Sequence, residues 1–354
     1  MRTQLGNVLL SFAILGVFAA LVWLPDSGEE IERFTGPTMG TSYTVQVAAL
    51  PASMEAEALS ERIDTLLGRL DKEVFSTYAP GSELSRLNRH PVGVPFEASA
   101  EMLAVLSLAQ EISELSGGAF DVTVGPLVNL WGFGPDLGPE GDRIPDPSSL
   151  AQALALVDYS ALIINASRAE VIKTAAVAVD LSAIAKGFAV DEVALALEDE
   201  GVNDYFIEVG GELKMSGRKP DGSDWIPAIE TPDPEQSSIY EIIHSRGETL
   251  SLAGSGDYRN YFETDGVRYT HEIDPRTGRP VQHNLAAVYV IDSLAARADA
   301  LATAFMILGL DAAKQLAAGL EQPVYLIYRK PPTQAPQNSF DAFISDAFAR
   351  YLGD

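Results

Sequence analysis

Between residues 34 and 328, strand-like and helix-like periodicities alternate with no linker-like stretch, internal repeat or low-complexity segment. That interleaving confines the chain to a mixed α and β architecture. Residues 41–47 alternate as a half-buried strand does, whereas Leu59, Ile63, Leu66, Leu67 and Leu70 share one helical stripe within residues 52–74. Further helices are expected at 99–116, 150–156, 183–200, 295–308 and 312–318. Strands are expected at 161–164, 170–180, 205–209, 213–217, 225–229, 248–253, 286–291 and 324–328. Residues 76–88 read as turn-rich, and 131–147 as a Gly/Pro-rich surface loop. The sum is an α+β fold: a single large domain with mostly antiparallel sheets and packed helices.

At 354 residues and 47% hydrophobic content, the chain can bury one large core or two modest ones. Acids outnumber bases 50 to 24, for a net charge of −26, which argues against nucleic acid as a partner. With no cysteine, disulfides, thiolate metal sites and a lipid-modified N-terminal cysteine are excluded. Arg2 precedes an apolar run at residues 8–24, which Pro25 and Asp26 close. Residues 1–24 therefore read as a signal anchor or signal peptide, preceding an acidic tether at 25–33 and the domain at 34–354. Without a clear small-x-small cleavage site, the uncleaved anchor is favoured. Arg2 on the cytoplasmic side would put the acidic body outside the cytoplasm.

Chemistry-bearing residues concentrate at 252–280. His271 falls at the end of an expected hairpin, followed by Asp274, Pro275, Arg276 and Thr277, and Asp257 lies in the turn before it. A core histidine and a catalytic one both remain open there. Asp299 and Thr303 stand one helical turn apart, a spacing that suits two oxygen ligands of Mg²⁺ and equally a buried helix pair. The segment from Asp180 to Lys186 joins a strand end to a helix start, where free amides and a lysine attract phosphate; an ordinary turn would look the same. Gly210-Gly211 permits close backbone approach to a ligand, or simply a tight turn. Gly132-Phe-Gly-Pro-Asp-Leu-Gly imitates a dinucleotide fingerprint, but its spacing is wrong and Pro135 blocks the helix entry. Pro275 stands where a zinc-protease motif needs its second histidine. His90, His244 and His283 have no ligand spacing, and no GxSxG is present.

Together these segments resemble the ApbE family of FAD:protein FMN transferases over roughly residues 34–328. The resemblance rests on ordered motifs: Met39-Gly-Thr-Ser-Tyr, Phe75-Ser-Thr-Tyr, Gly118-Ala-Phe-Asp, Asp180-Leu-Ser-Ala-Ile-Ala-Lys-Gly, Val209-Gly-Gly, Ser255-Gly-Asp-Tyr, His271 with Ile273-Asp274-Pro275, and Asp299-Ala-Leu-Ala-Thr303. It implies an ApbE/T-fold-like enzyme, secreted or membrane-anchored, that needs Mg²⁺ and takes FAD as substrate. Such an enzyme transfers FMN to a Thr or Ser hydroxyl of a target protein and releases AMP; the targets are subunits of membrane redox complexes. Carried over by position, Asp299 and Thr303, with backbone oxygens near Ala183 and Ala302, are the implied magnesium ligands. Met39, Tyr78, Ala119, Phe120, Asp121, Asp180, Lys186 and Ile273 are the implied FAD contacts, with Glu208, Gly210 and Gly211 close to the nucleotide. His271 is the candidate base for the acceptor hydroxyl, with Asp274 orienting it and Asp257 second in line. Two residues depart from the family pattern: Glu212, where Asn or Asp often follows the glycine pair, and Glu272, where an apolar residue usually follows the histidine. The implied setting is the inner membrane, with the N-terminal segment as anchor and the catalytic domain on the periplasmic side. A flavin carrier without transfer and an FAD pyrophosphatase are the competing readings.

Overall fold

The computed structural model describes residues 31–134, 144–233, 238–330 and 339–353, so residues 1–24, expected as a hydrophobic helix serving as signal anchor or signal peptide, lie outside the described residues. Eight strands form the main sheet: β1 (Glu32–Thr38), β2 (Thr41–Val47), β3 (Tyr205–Val209), β4 (Glu212–Ser216), β5 (Leu250–Gly256), β6 (Leu285–Asp292), β7 (Val324–Arg329) and β8 (Phe340–Ile344). They neighbour one another in chain order, and every pairing is antiparallel. The helices that matter for the site are α1 (Ala56–Arg69), α2 (Ala100–Leu115), α3 (Ala185–Asp199), α4 (Ala295–Leu308) and α5 (Leu310–Leu320).

Both sheet faces are covered, and the alternation along single strands shows how. Val288 and Val290 of β6, with Val324 and Leu326 of β7, enter a core shared with the helices. The intervening Ala287, Tyr289, Ile291, Tyr325 and Ile327 enter a second core with Trp225, Ile243, Phe348 and Tyr351. Helix α4 carries apolar residues almost all round and is buried on most of its surface, so a polar group on it is either partnered or functional. Its charged residues are Arg297 and the buried Asp299.

Two glycines set the spacing around the site. A Cβ on Gly187 in α3 would lie 2.3 Å from the carbonyl oxygen of Ala295, so glycine lets α3 and α4 touch backbone to backbone. A Cβ on Gly210, in the left-handed β3–β4 turn, would lie 2.9 Å from Cδ of Lys186 and 2.7 Å from Cγ2 of Thr41.

Several boundaries differ from expectation for local reasons. The helix expected at 52–74 is α1 followed by a π-helical turn at Leu70–Val74. The turn-rich stretch contains a helix, Glu83–Arg89, started by the Ser82 side chain accepting from the Ser85 amide. The strand expected at 170–180 stops at Lys173, and that expected at 225–229 is Ala228–Glu230. Residues 135–143 of the expected surface loop lie outside the described residues; its end is the N-cap of Pro147–Leu154, where Asp146 accepts two amides. Strand β8 is not among the expected strands: it is only five residues long, none of them fully buried, and a Pro/Gln/Asn-rich stretch precedes it.

Gly187→Ala tests the helix contact. Ala improves helix propensity by about 1 kcal/mol, yet overpacking against an immobile backbone oxygen costs about 1–3 kcal/mol or more. A lowered midpoint of urea denaturation is the expected result.

Candidate active site

One cavity of about 470 Å³ opens at the junction of the β1–β2 turn, the segment 119–124, the start of α3, the β3–β4 turn, the end of β5 and the segment 271–275. Its size suits a cofactor-sized ligand. Of the sequence candidates, Met39, Tyr78, Ala119, Phe120, Asp121, Asp180, Ala183, Lys186, Gly210, His271, Ile273, Asp299 and Thr303 line it, together with Glu212, Ser255, Asn260 and Glu272. Glu208, Gly211, Asp257, Asp274 and Ala302 are not among the lining residues.

At one end stands a charged cluster. Nζ of Lys186 lies 2.6 Å from Oε1 of Glu212 and 3.7 Å from Oδ2 of Asp299, and it donates to the Ser182 carbonyl at 3.3 Å. Burial alone would depress this ammonium, but Asp299 and Glu212 outweigh it and hold the pKa above its ordinary value. Burial pushes Glu212 well above the carboxylate range, Lys186 opposing and Asp299 reinforcing the rise. Asp299 also accepts the Gly187 amide at 3.1 Å, the contact that the missing Cβ permits. Thr303, one turn on, lies 3.2 Å from the Ser255 hydroxyl. No side chain caps the N-terminus of α3, whose residues Ala185 and Lys186 face the cavity.

The donor set fits a magnesium ion. Oε2 of Glu212 is buried without a hydrogen-bond partner beside this cluster, while the Asp299 carboxylate and the Thr303 hydroxyl front the same space as Ala183. Among the described residues no three His, Cys, Asp or Glu side chains converge into a metal cage. A cation here would draw on one carboxylate, neutral oxygens and the ligand's own phosphates, the pattern that Mg²⁺ favours.

At the other end is His271, immediately after the hairpin Tyr261–Thr264 and Val267–Thr270. Its Nδ1 lies 3.2 Å from the Asn260 carbonyl and its Nε2 is 3.6 Å from Oε1 of Glu272. Because a carbonyl only accepts, the ring hydrogen sits on Nδ1 and the Nε2 lone pair is left free. An aromatic ladder braces the hairpin: Trp131 stacks on Tyr269 at 5.7 Å, Tyr269 on Phe262 at 5.2 Å and Phe262 on Phe133 at 5.7 Å. Phe133 then meets His271 edge-on at 6.4 Å.

Three side chains are engaged otherwise than expected. The Asp274 carboxylate is held by the Arg276 guanidinium at 2.8 and 2.9 Å, so Asn260, not Asp274, orients the His271 ring. Asp257 makes a two-pronged pair with Arg329 at 2.6 and 2.7 Å, which occupies both oxygens and removes it as a free base. The Asp121 carboxylate accepts the Thr123 amide and hydroxyl and the Tyr159 amide, so it ties together the wall it belongs to. Glu208, pushed up by burial, accepts the Gly211 amide and stabilises the glycine turn. Tyr78 is 61% exposed at the mouth, while Met39 holds a left-handed backbone, φ 47°, in the β1–β2 turn. Sequence reasoning missed the partnership of Asn260 and the aromatic ladder; the aromatic spacing at 131, 133, 262 and 269 carries no periodic signature because its parts are distant in the chain.

Burial pushes Glu272 up to about 8 from an ordinary 4.5, and burial depresses His271 to about 4 from 6.5. Between pH 4.5 and 6.5 their effects on stability oppose each other. From 6.5 to 8 folded Glu272 keeps a proton that the unfolded chain has released, so its contribution to stability falls as pH rises. Urea titrations at pH 6.5 and 8 should therefore differ less for Glu272→Gln than for the unmodified chain. Lys186→Met, which leaves Glu212 and Asp299 without their counter-charge, should cost about 3–5 kcal/mol by the same measurement.

Residues 39–327 match the model of the ApbE family. An FAD:protein FMN transferase of Vibrio cholerae is 40% identical over 340 residues, covering 96% of this chain and 98% of that protein. One of Haemophilus influenzae is 40% identical over 326 residues, 91% of each chain. The solved flavin transferase ApbE from Vibrio cholerae has a TM-score of 0.82 at 38% identity, over 91% of this chain and 99% of its own. The apo flavinyl transferase ApbE of Pseudomonas stutzeri gives 0.81 at 38% identity, over 92% and 98%. With likeness in motif order, fold and sequence along nearly its whole length, this chain belongs to the ApbE family.

Proposed function

We propose that this chain transfers FMN from FAD to a Thr or Ser hydroxyl of a target protein and releases AMP. The observation that carries the proposal is the shared cavity, lined by a lysine-bearing helix N-terminus with an oxygen cluster and by a histidine with a free Nε2. The relatives named as FAD:protein FMN transferases support the same reading.

In the reaction the hydroxyl oxygen attacks the phosphorus of the FMN half, the bond to the bridging oxygen breaks, and AMP leaves with that oxygen. His271 takes the hydroxyl proton on Nε2, while Asn260 holds the ring and Phe133 limits its tilt. Lys186 supplies fixed positive charge near the phosphates. Asp299, Thr303 and the Ala183 backbone would hold Mg²⁺, which when bound would neutralise phosphate charge. The apolar and aromatic wall of Met39, Ala119, Phe120, Ile273 and Tyr78 would receive the ring systems of FAD.

The N-terminal run behind Arg2 supports a further part of the proposal: residues 1–24 anchor the chain in the inner membrane, and the acidic stretch from 25 to the start of β1 at Glu32 tethers the domain on the periplasmic side. An acceptor in a membrane redox complex would then lie within reach.

Full-length chain incubated with FAD, Mg²⁺ and a target protein carrying a flavinylation threonine should yield an adduct heavier by FMN, and AMP. His271→Ala should slow transfer by roughly 10²- to 10⁴-fold, and Asp299→Ala by about 10²- to 10³-fold. AMP and free FMN without adduct would identify a pyrophosphatase, and FAD retained uncleaved would identify a carrier.

A further inference from the structure

The cavity wall contains a buried carboxyl that this reaction scheme leaves without work, Glu272. The amide of Val281 donates to its carbonyl at 2.9 Å, which fixes its backbone between His271 and the strand Ile273–Asp274. Its Oε1 lies 3.6 Å from Nε2 of His271, beyond direct hydrogen-bond distance, and both side chains border the same space. The other His271 nitrogen is committed to Asn260. A base nitrogen and a carboxyl oxygen thus face one spot with a gap between them, an arrangement suited to a single donor such as a hydroxyl.

The surrounding charges are already paired among themselves. Asp257 is held by Arg329, Lys186 by Glu212 and Asp299, and Nε2 of His283 lies 2.8 Å from the Met306 carbonyl. Asp274 is held by Arg276. Glu272 has none of these as a bonded partner in this arrangement, and its nearest charged or titratable neighbour by ion-pair geometry is His271.

Building on the transferase reading, we propose that Glu272 is a second catalytic residue, receiving the acceptor hydroxyl jointly with His271. As the new oxygen–phosphorus bond forms and the bond to AMP breaks, the hydroxyl proton passes to Nε2 of His271. The Glu272 carboxylate pairs with the imidazolium so formed, and the proton then leaves to water. In this scheme the ionised carboxylate is the working form. Burial keeps Glu272 protonated to about pH 8, so turnover in the unmodified enzyme rises with pH through that region before levelling.

The test is the pH dependence of FMN transfer by the full chain between pH 6 and 9.5, with FAD and Mg²⁺ saturating and the acceptor protein varied. For Glu272→Gln the expected result is loss of the rise near pH 8 and a roughly 10- to 100-fold lower kcat at pH 9, with KM for FAD, from a parallel series at varied FAD, unchanged. Glu272→Asp, which keeps a carboxyl, should restore a pH-dependent limb; it also serves if Glu272→Gln fails to fold. A Glu272→Gln profile that superimposes on the native one, or a Glu272→Asp enzyme with no limb, would overturn the inference while leaving the transferase reading intact. Absence of adduct from the unmodified chain at every pH would instead defeat the transferase reading, and this inference with it.

Discussion

The whole site depends on one ammonium group held between two buried carboxylates. Lys186 reaches Glu212 on β4 and Asp299 on α4 from the first turn of α3, so three elements meet through a single side chain. A buried ammonium would be costly if left unpaired. The arrangement stands because glycine at 187 lets the two helices touch and glycine at 210 lets the lysine stem pass beneath the β3–β4 turn. Sheet, helix pair and cavity floor are thereby locked in one geometry around one ammonium shared by two carboxyl groups. In a protein of net charge −26, an anionic ligand is better received together with a cation than bare.

The opposite end of the cavity is organised by aromatic packing rather than charge. The ladder from Trp131 to Phe133 clamps the hairpin, and the Trp131 indole donates to the Gly278 carbonyl at 2.7 Å, so the loop after His271 is tied to the same brace. Apolar contact fixes the ring's position, and the same burial depresses its pKa and keeps it neutral, with the Nε2 lone pair open.

Elements whose identity is decided locally were legible in the sequence. Strand Tyr205–Val209 and helix Ala295–Leu308 coincide with expectation to the residue, because one is a short apolar β-rich run and the other a long apolar helix. Membership of the cavity was largely legible too, since motif order carried it. Side-chain partnerships were not. Asp274 looked free beside His271, but Arg276, two residues on, folds back onto it in the turn. Asp257 looked like a spare base, but its partner Arg329 lies far along the chain on a strand end. Such pairings are set by tertiary approach, about which local pattern carries no information.

The order of the strands has a kinetic consequence. Strands β5 to β8 meet across connections that are short or that carry only a hairpin or a helix pair, whereas β2 must find β3 across the whole of residues 48–204. Loop closure makes that pairing the slow joint of the sheet. Met39 and Thr41 lie on one side of the joint and Gly210 on the other, and all three border the cavity. A refolding chain can therefore hold a formed C-terminal sheet while having no cavity at all. Ligand-binding competence is acquired only when the longest-range strand pair closes.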